Sequence, residues 1–149
     1  MTDAVGPTPY LARLARTRPD VVAAIAELGP LAAARAAVDV ARAAPFDDID
    51  ACKSALRRAK QTCHLALATG DLAGLLGLDA VTHTLSDLAD AAVVRALDAA
   101  CAHQVRRGRM GPPANGFRGP APGFFLLAMG KHGARELTYS CDIDITAFF

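Results

Sequence analysis

Residues 124–149 read FFLLAMGKHGARELTYSCDIDITAFF. An apolar run breaks at Gly130-Lys131, a polar turn follows with Arg135 and Glu136, and the chain returns as the alternating segment Asp142-Ile143-Asp144-Ile145. Apolar residues bounded by a glycine break, followed by strict two-residue alternation, predict a strand, a turn and a second strand. Of everything in the chain, this stretch leaves the fewest structural options.

In an extended strand successive side chains point to opposite faces, so Asp142 and Asp144 would share one face and Ile143 and Ile145 the other. Two carboxylates on one face can hold one or two divalent cations. Mg2+ takes few protein carboxylates and completes its octahedron with water and phosphate oxygens. A paired-Asp strand therefore suits phosphoryl or nucleotidyl transfer. Gly130 adds to this, because a residue without Cβ lets backbone N–H groups approach a phosphate. The same alternation also describes an ordinary half-buried antiparallel strand whose aspartates are simply solvated. Gly130-Lys131 is not a P-loop, since Phe125 stands where the first glycine would be and His132 replaces the Ser or Thr.

Upstream the chain reads as helix. It is 52% hydrophobic with no Trp, and much of that share is Ala, the strongest helix former. A short helix around Tyr10, Leu11 and Leu14 is expected to end at Arg18-Pro19. Asp20 would cap a second, Val21 to Leu28, stopped at Gly29. Pro30 would open a third, Leu31 to Ala44, closed by Pro45. Asp47 or Asp48 would cap a fourth, with Ile49, Cys52, Leu56, Ala59, Cys63 and Ala66 on its inner face, Lys53, Arg57, Lys60 and Gln61 on a solvated one, and Gly70 at its end. A long fifth helix, Asp79 to Arg107, would bury Leu85, Leu88, Ala92, Leu97 and Ala100, with Arg106 and Arg107 at its C-terminal dipole. Residues 1–9 read as a loose start, and residues 108–123, rich in Gly and Pro, as a linker. The expected fold class is α+β: an α-helical region over 1–107, the linker, and from 124 the first strands of a domain that the chain does not complete.

The block from Ala128 to Ile145, AMGKHGARELTYSCDIDI, resembles the signature of the glutamine synthetase adenylyltransferase and adenylyl-removing enzymes, bifunctional members of the DNA polymerase beta nucleotidyltransferase superfamily. Gly130, Asp142 and Asp144 match the general superfamily pattern. Lys131, Gly133, Arg135, Glu136, Leu137 and Tyr139 match the narrower family block. Leu56-Arg57-Arg58-Ala59-Lys60, Gly70-Asp71-Leu72-Ala73-Gly74 and the run from Leu85 to Ala92 are similar to the family's helical lead-in. Three positions depart from it: Cys141 where Ser is usual, Thr138 where Asn is frequent, and Thr146 where an aliphatic residue is usual.

The resemblance implies a nucleotidyltransferase with Mg2+ on Asp142 and Asp144, Gly130 and Lys131 beside the phosphates, and Arg135 and Glu136 bracing the turn. It implies ATP or ADP and orthophosphate as substrates or products, glutamine synthetase as the protein partner, and room for a PII signal protein in a full-length enzyme. The family's third carboxylate lies on a later strand, so the chain reads as an N-terminal fragment without activity of its own. The form Arg135-Glu136-Leu137 ahead of Asp142 resembles the family's first nucleotidyltransferase domain, which implies the adenylyl-removing half. Two other classes stay open: a helical interaction module with a non-catalytic terminal hairpin, and a small stand-alone nucleotidyltransferase.

Sixteen basic residues against fifteen acidic ones leave a net charge of +1, which points to neither nucleic acid nor an acidic membrane. Cys52, Cys63, Cys101 and Cys141 form no C-x-x-C pair, and Cys63-His64 and Cys101-x-His103 read as buried helix filler. With no secretory signal and no membrane-length apolar run, the expectation is a reducing, cytoplasmic location.

Overall fold

The computed structural model describes residues 8–112 and 123–149. Among the described residues five helices precede a strand pair: α1 Pro9–Thr17, α2 Pro19–Leu28, α3 Pro30–Arg42, α4 Ile49–Leu72 and α5 Leu78–Arg106, then β1 Phe125–Met129, the single turn α6 Gly130–Gly133, and β2 Asp144–Phe148. The α+β class holds. Residues 1–7 of the loose start and 113–122 of the linker lie outside the described residues.

Prolines open α1, α2 and α3, where a missing N–H costs nothing and a fixed φ favours the helix. Asp20 is not the cap of α2. Arg18 holds that position with Pro19 next, and Asp20 sits in the first turn with its carboxylate 2.8 Å from the Arg18 guanidinium. Pro45 does not close α3 either, because the helix has already ended at Arg42. Asp48 caps α4, its Oδ1 accepting from the N–H groups of Asp50 and Ala51.

α4 is the central element and packs against α1, α2, α3 and α5. Cys52, Ala59, Cys63 and Ala66 are buried as the spacing predicts, but from Cys63 to Ala68 every residue is buried, so that stretch has no solvated face. Gly70 does not terminate it. A Cβ there would lie 2.8 Å from both the Leu76 side chain and the Pro30 ring, so Gly70 is a close-packing position inside the helix and the chain leaves only after Leu72. Neighbouring tight packing comes from small residues: Ala33, Ala34, Ala37 and Ala41 of α3 are buried.

The expected stripe on α5 is right in its first half and rotated in its second. Leu85 and Leu88 are buried, but Ala91 and Ala99 replace Ala92 and Ala100, which are half-buried and exposed, and Leu97 is half-buried. Over a helix this long an ideal 3.6-residue period drifts from any fixed stripe as its packing partners change. Cys101 and His103 are half-buried rather than interior. No helix among the described residues is long and apolar enough to cross a membrane.

β1 and β2 pair antiparallel with Phe125 opposite Phe148 and Met129 opposite Asp144. Directly opposed residues share a face, so Leu126, Ala128, Ile145 and Ala147 form one side and Phe125, Leu127, Met129, Asp144, Thr146 and Phe148 the other. The first side meets α5 across a cavity of about 420 Å³ lined by Val93, Val94 and Leu97. The second side is open, and Phe125 and Phe148 stack on it with ring centroids 5.1 Å apart.

Candidate functional site

Of the predicted alternating pair, only Asp144 lies in the strand. β2 begins there, and Asp142 and Ile143 precede it in irregular backbone. Both aspartates are exposed, and among the described residues neither carboxylate forms a hydrogen bond or ion pair.

Gly130 and Asp144 are brought together. The register places Asp144 opposite Met129, one residue before Gly130, and an added Cβ on Gly130 would lie 2.8 Å from Asp144 Oδ2. Gly130 also has φ +54°, in the left-handed region that favours glycine. The carboxylate therefore rests directly over the glycine backbone at the start of α6. Gly133 closes the same turn, where a Cβ would meet the Ala128 carbonyl oxygen at 2.5 Å. The turn is completed by backbone bonds, Ala134 N–H to Gly130 O at 3.0 Å, Arg135 N–H to His132 O at 3.1 Å and Glu136 N–H to Lys131 O at 2.7 Å.

Lys131 points its ammonium at Cys141 Sγ, 3.7 Å away, and the Thr138 hydroxyl lies 2.9 Å from the same sulfur. The Thr138 contact, supported by a backbone N–H bond and the Lys131 charge, holds the Cys141 thiol below its usual range. Lys131 is thus placed beside Cys141, the residue before Asp142.

Side chains of the turn reach the helices at several points. His132 is buried, and its Nε2 lies 2.8 Å from Asp90 Oδ1 on α5. Arg135, itself at φ +61°, donates from Nη2 to Asp87 Oδ1 at 2.7 Å, with Nη1 4.0 Å from Asp90 Oδ2. Leu137 is 4% exposed and belongs to the helical core. The Tyr139 hydroxyl donates to Asp71 Oδ2 on α4 at 3.2 Å, and burial followed by the Asp71 charge raises its phenol pKa. The Arg135 side chain therefore ties the turn to α5. Glu136 contributes its backbone N–H, and its side chain has no hydrogen-bond or ion-pair partner among the described residues. Asp71, Asp87, Asp90 and His132 carried no expected role, because isolated acidic residues on a helix ordinarily read as solvated.

His64 of α4 packs edge-on against Tyr139, ring centroids 5.9 Å apart, beneath a cavity of about 430 Å³ that Tyr10, Leu11 and Leu72 also line. Burial, with a smaller contribution from Lys60, lowers its pKa to about 4. A depressed imidazole pKa means that the unfolded chain binds the proton first, between the ordinary value of 6.5 and about 4. Stability from neutral His64 is complete above pH 6.5 and is lost as pH falls toward 4, by up to about 3 kcal/mol at 1.36 kcal/mol per unit. Urea midpoints measured across this window should fall with acidification. In His64→Gln the fall should be visibly shallower.

The chain matches the sequence model of a family described as glutamate-ammonia ligase adenylyltransferase over residues 1–149. Among curated proteins it is 43% identical over 145 residues to the bifunctional glutamine synthetase adenylyltransferase/adenylyl-removing enzyme of Caulobacter vibrioides, covering 95% of this chain and 14% of that protein. The enzymes of the same name from Xanthobacter autotrophicus and Rhodopseudomonas palustris are 37% and 35% identical, again over 95% of this chain, with 14% and 15% of their own lengths covered. The chain thus spans about 14% of the length of the Caulobacter relative. No solved structure matches it.

Proposed function

We propose, from the premise that this chain belongs to the glutamate-ammonia ligase adenylyltransferase family, that residues 124–149 supply part of a nucleotidyl-transfer site that acts on glutamine synthetase. In our reading the direction served here is phosphorolytic removal of AMP from the modified tyrosine. The supporting observation is the seating of the Asp144 carboxylate over Gly130, with Asp142 and Asp144 exposed and, among the described residues, unpaired.

The donor set fits Mg2+: hard carboxylate oxygens, few in number, exposed and free of a protein cation among the described residues. Asp142 and Asp144 would hold the ion. Bound there, it would neutralise charge on the phosphoryl oxygens. The chain's own part is to orient. Gly130 leaves room for the Asp144 carboxylate against the backbone, so a phosphate held beside that carboxylate would lie next to the turn, and the Lys131 ammonium offers the positive charge that a phosphate attracts. An orthophosphate oxygen forms the new bond to the AMP phosphorus, the tyrosyl oxygen–phosphorus bond breaks, and the departing phenolate takes up a proton, giving ADP and free tyrosine. Glutamine synthetase is the protein substrate in this reading, ATP belongs to the opposed reaction, and a PII signal protein would act on the complete enzyme.

The direction is tested in a full-length enzyme carrying Asp142→Asn and Asp144→Asn. Phosphate-dependent release of ADP from adenylylated glutamine synthetase is expected to disappear while ATP-dependent adenylylation continues. Loss of adenylylation with survival of removal would show the assignment to be wrong.

A further inference from the structure

Two upstream blocks, Gly70-Asp71-Leu72 and the run from Leu85 to Ala92, have no part in the chemistry proposed above, although they resemble the family as the terminal signature does. Both supply anchors for that signature. Asp71 accepts from Tyr139 at 3.2 Å, and on the next helix Asp90 meets buried His132 at 2.8 Å while Asp87 meets Arg135 at 2.7 Å. Asp87 and Asp90 are three residues apart, so they stand one turn from each other on one face of α5.

We infer that Asp87 and Asp90 are positioning residues of the transfer site, holding the Gly130–Gly133 turn at the height where its glycine meets the Asp144 carboxylate. The inference rests on the functional reading above. Three features make the pair more than a surface ion pair. His132 lies inside the turn that begins with Gly130, and its side chain is only 2% exposed, so its position is the turn's position. Its Nδ1 is buried without a hydrogen-bond partner among the described residues, so Asp90, through Nε2, is the ring's polar anchor there. Arg135 has a backbone conformation that non-glycine residues seldom adopt, and such conformations persist where surrounding contacts over-determine them. Asp87, with a longer approach from Asp90, supplies the side-chain share of those contacts, beside the backbone bonds at Arg135 and Glu136.

Both sides of the turn are thus fixed, by α5 behind it and by β2 across it. Releasing the α5 side lets Gly130 and Lys131 drift relative to Asp144 while Asp142 and Asp144 keep their own strand and its approach. Outer supports of this kind typically change activity 10- to 100-fold when removed.

The test uses the full-length enzyme with Asp87→Ala and Asp90→Ala combined, and separately Asp90→Asn, whose amide oxygen can still accept from Nε2. For phosphate-dependent removal, kcat in the double variant is expected to fall about 10- to 100-fold, with KM for adenylylated glutamine synthetase changed less than about two-fold. Asp90→Asn should retain most of the turnover. Amide hydrogen exchange across residues 130–137 should quicken in the double variant and stay slow in Asp90→Asn. Unchanged exchange in the double variant, or a kcat loss that Asp90→Asn shares in full, overturns the inference. If Asp142→Asn with Asp144→Asn leaves turnover intact, the functional reading fails instead, and the exchange measurement alone decides whether the clamp exists.

Discussion

Gly130→Ala is expected to lower turnover of the full-length enzyme about a hundred-fold while the helices stay folded. Two effects act together. A side chain at φ +54° costs on the order of 1–2 kcal/mol. The new methyl would also stand 2.8 Å from Asp144 Oδ2, too close for either atom to remain in place. The carboxylate is exposed and swings away more cheaply than the backbone moves, so the lost quantity is alignment rather than stability. A displacement of about 1 Å at a reacting centre costs about a hundred-fold. Steady-state turnover at several Mg2+ concentrations measures this, and far-UV circular dichroism monitors the fold. The decisive comparison is the double variant with Asp144→Asn: if the methyl acts through that carboxylate, adding it to an enzyme already lacking the charge should cost little more.

Leu137→Ala is expected to destabilise the chain by about 3 kcal/mol, within the range of 2–5 kcal/mol for buried leucine truncations. Leu137 is only 4% exposed and sits among helical core residues, although it belongs to the signature turn by sequence. The loss therefore has two parts: the unfilled space in the core, and the release of the segment between Arg135 and Tyr139. Chemical denaturation would report the first. Faster proteolysis within residues 133–141 under native conditions would report the second, and its absence would mean that the Arg135–Asp87 ion pair and the Tyr139–Asp71 hydrogen bond hold the segment without the leucine.

Much of this architecture is legible in the sequence because punctuation there is strong. Pro19, Pro30, Asp48 and Gly29 fix helix boundaries through local backbone chemistry, which survives folding unchanged. What local reading misses is set by neighbours far along the chain. Gly70 looks like a helix stop until Pro30 and Leu76 are seen against it. Ala91 and Ala99 replace Ala92 and Ala100 as interior positions because α5 changes partners along its length. Within the site, Gly130 and Asp144 are recognisable from their residue types. Asp142 stands just outside the strand that alternation assigned to it, and the parts played by Asp71, Asp87 and Asp90 depend on residues 68, 48 and 42 positions away.

Those separations bear on the order in which the molecule is made. Helices α1 to α4 meet through short connections and can collapse early, since closing a small loop sacrifices little chain entropy. The signature turn must instead find α4 and α5 across long intervening chain, so its docking belongs to the late, downhill side of the folding barrier. Weakening its anchors would then leave the folding rate nearly unchanged and appear almost entirely as faster unfolding. In that order the signature turn would be the last part of this structure to form and the first to leave it, and the helical body would outlive it on an unfolding excursion.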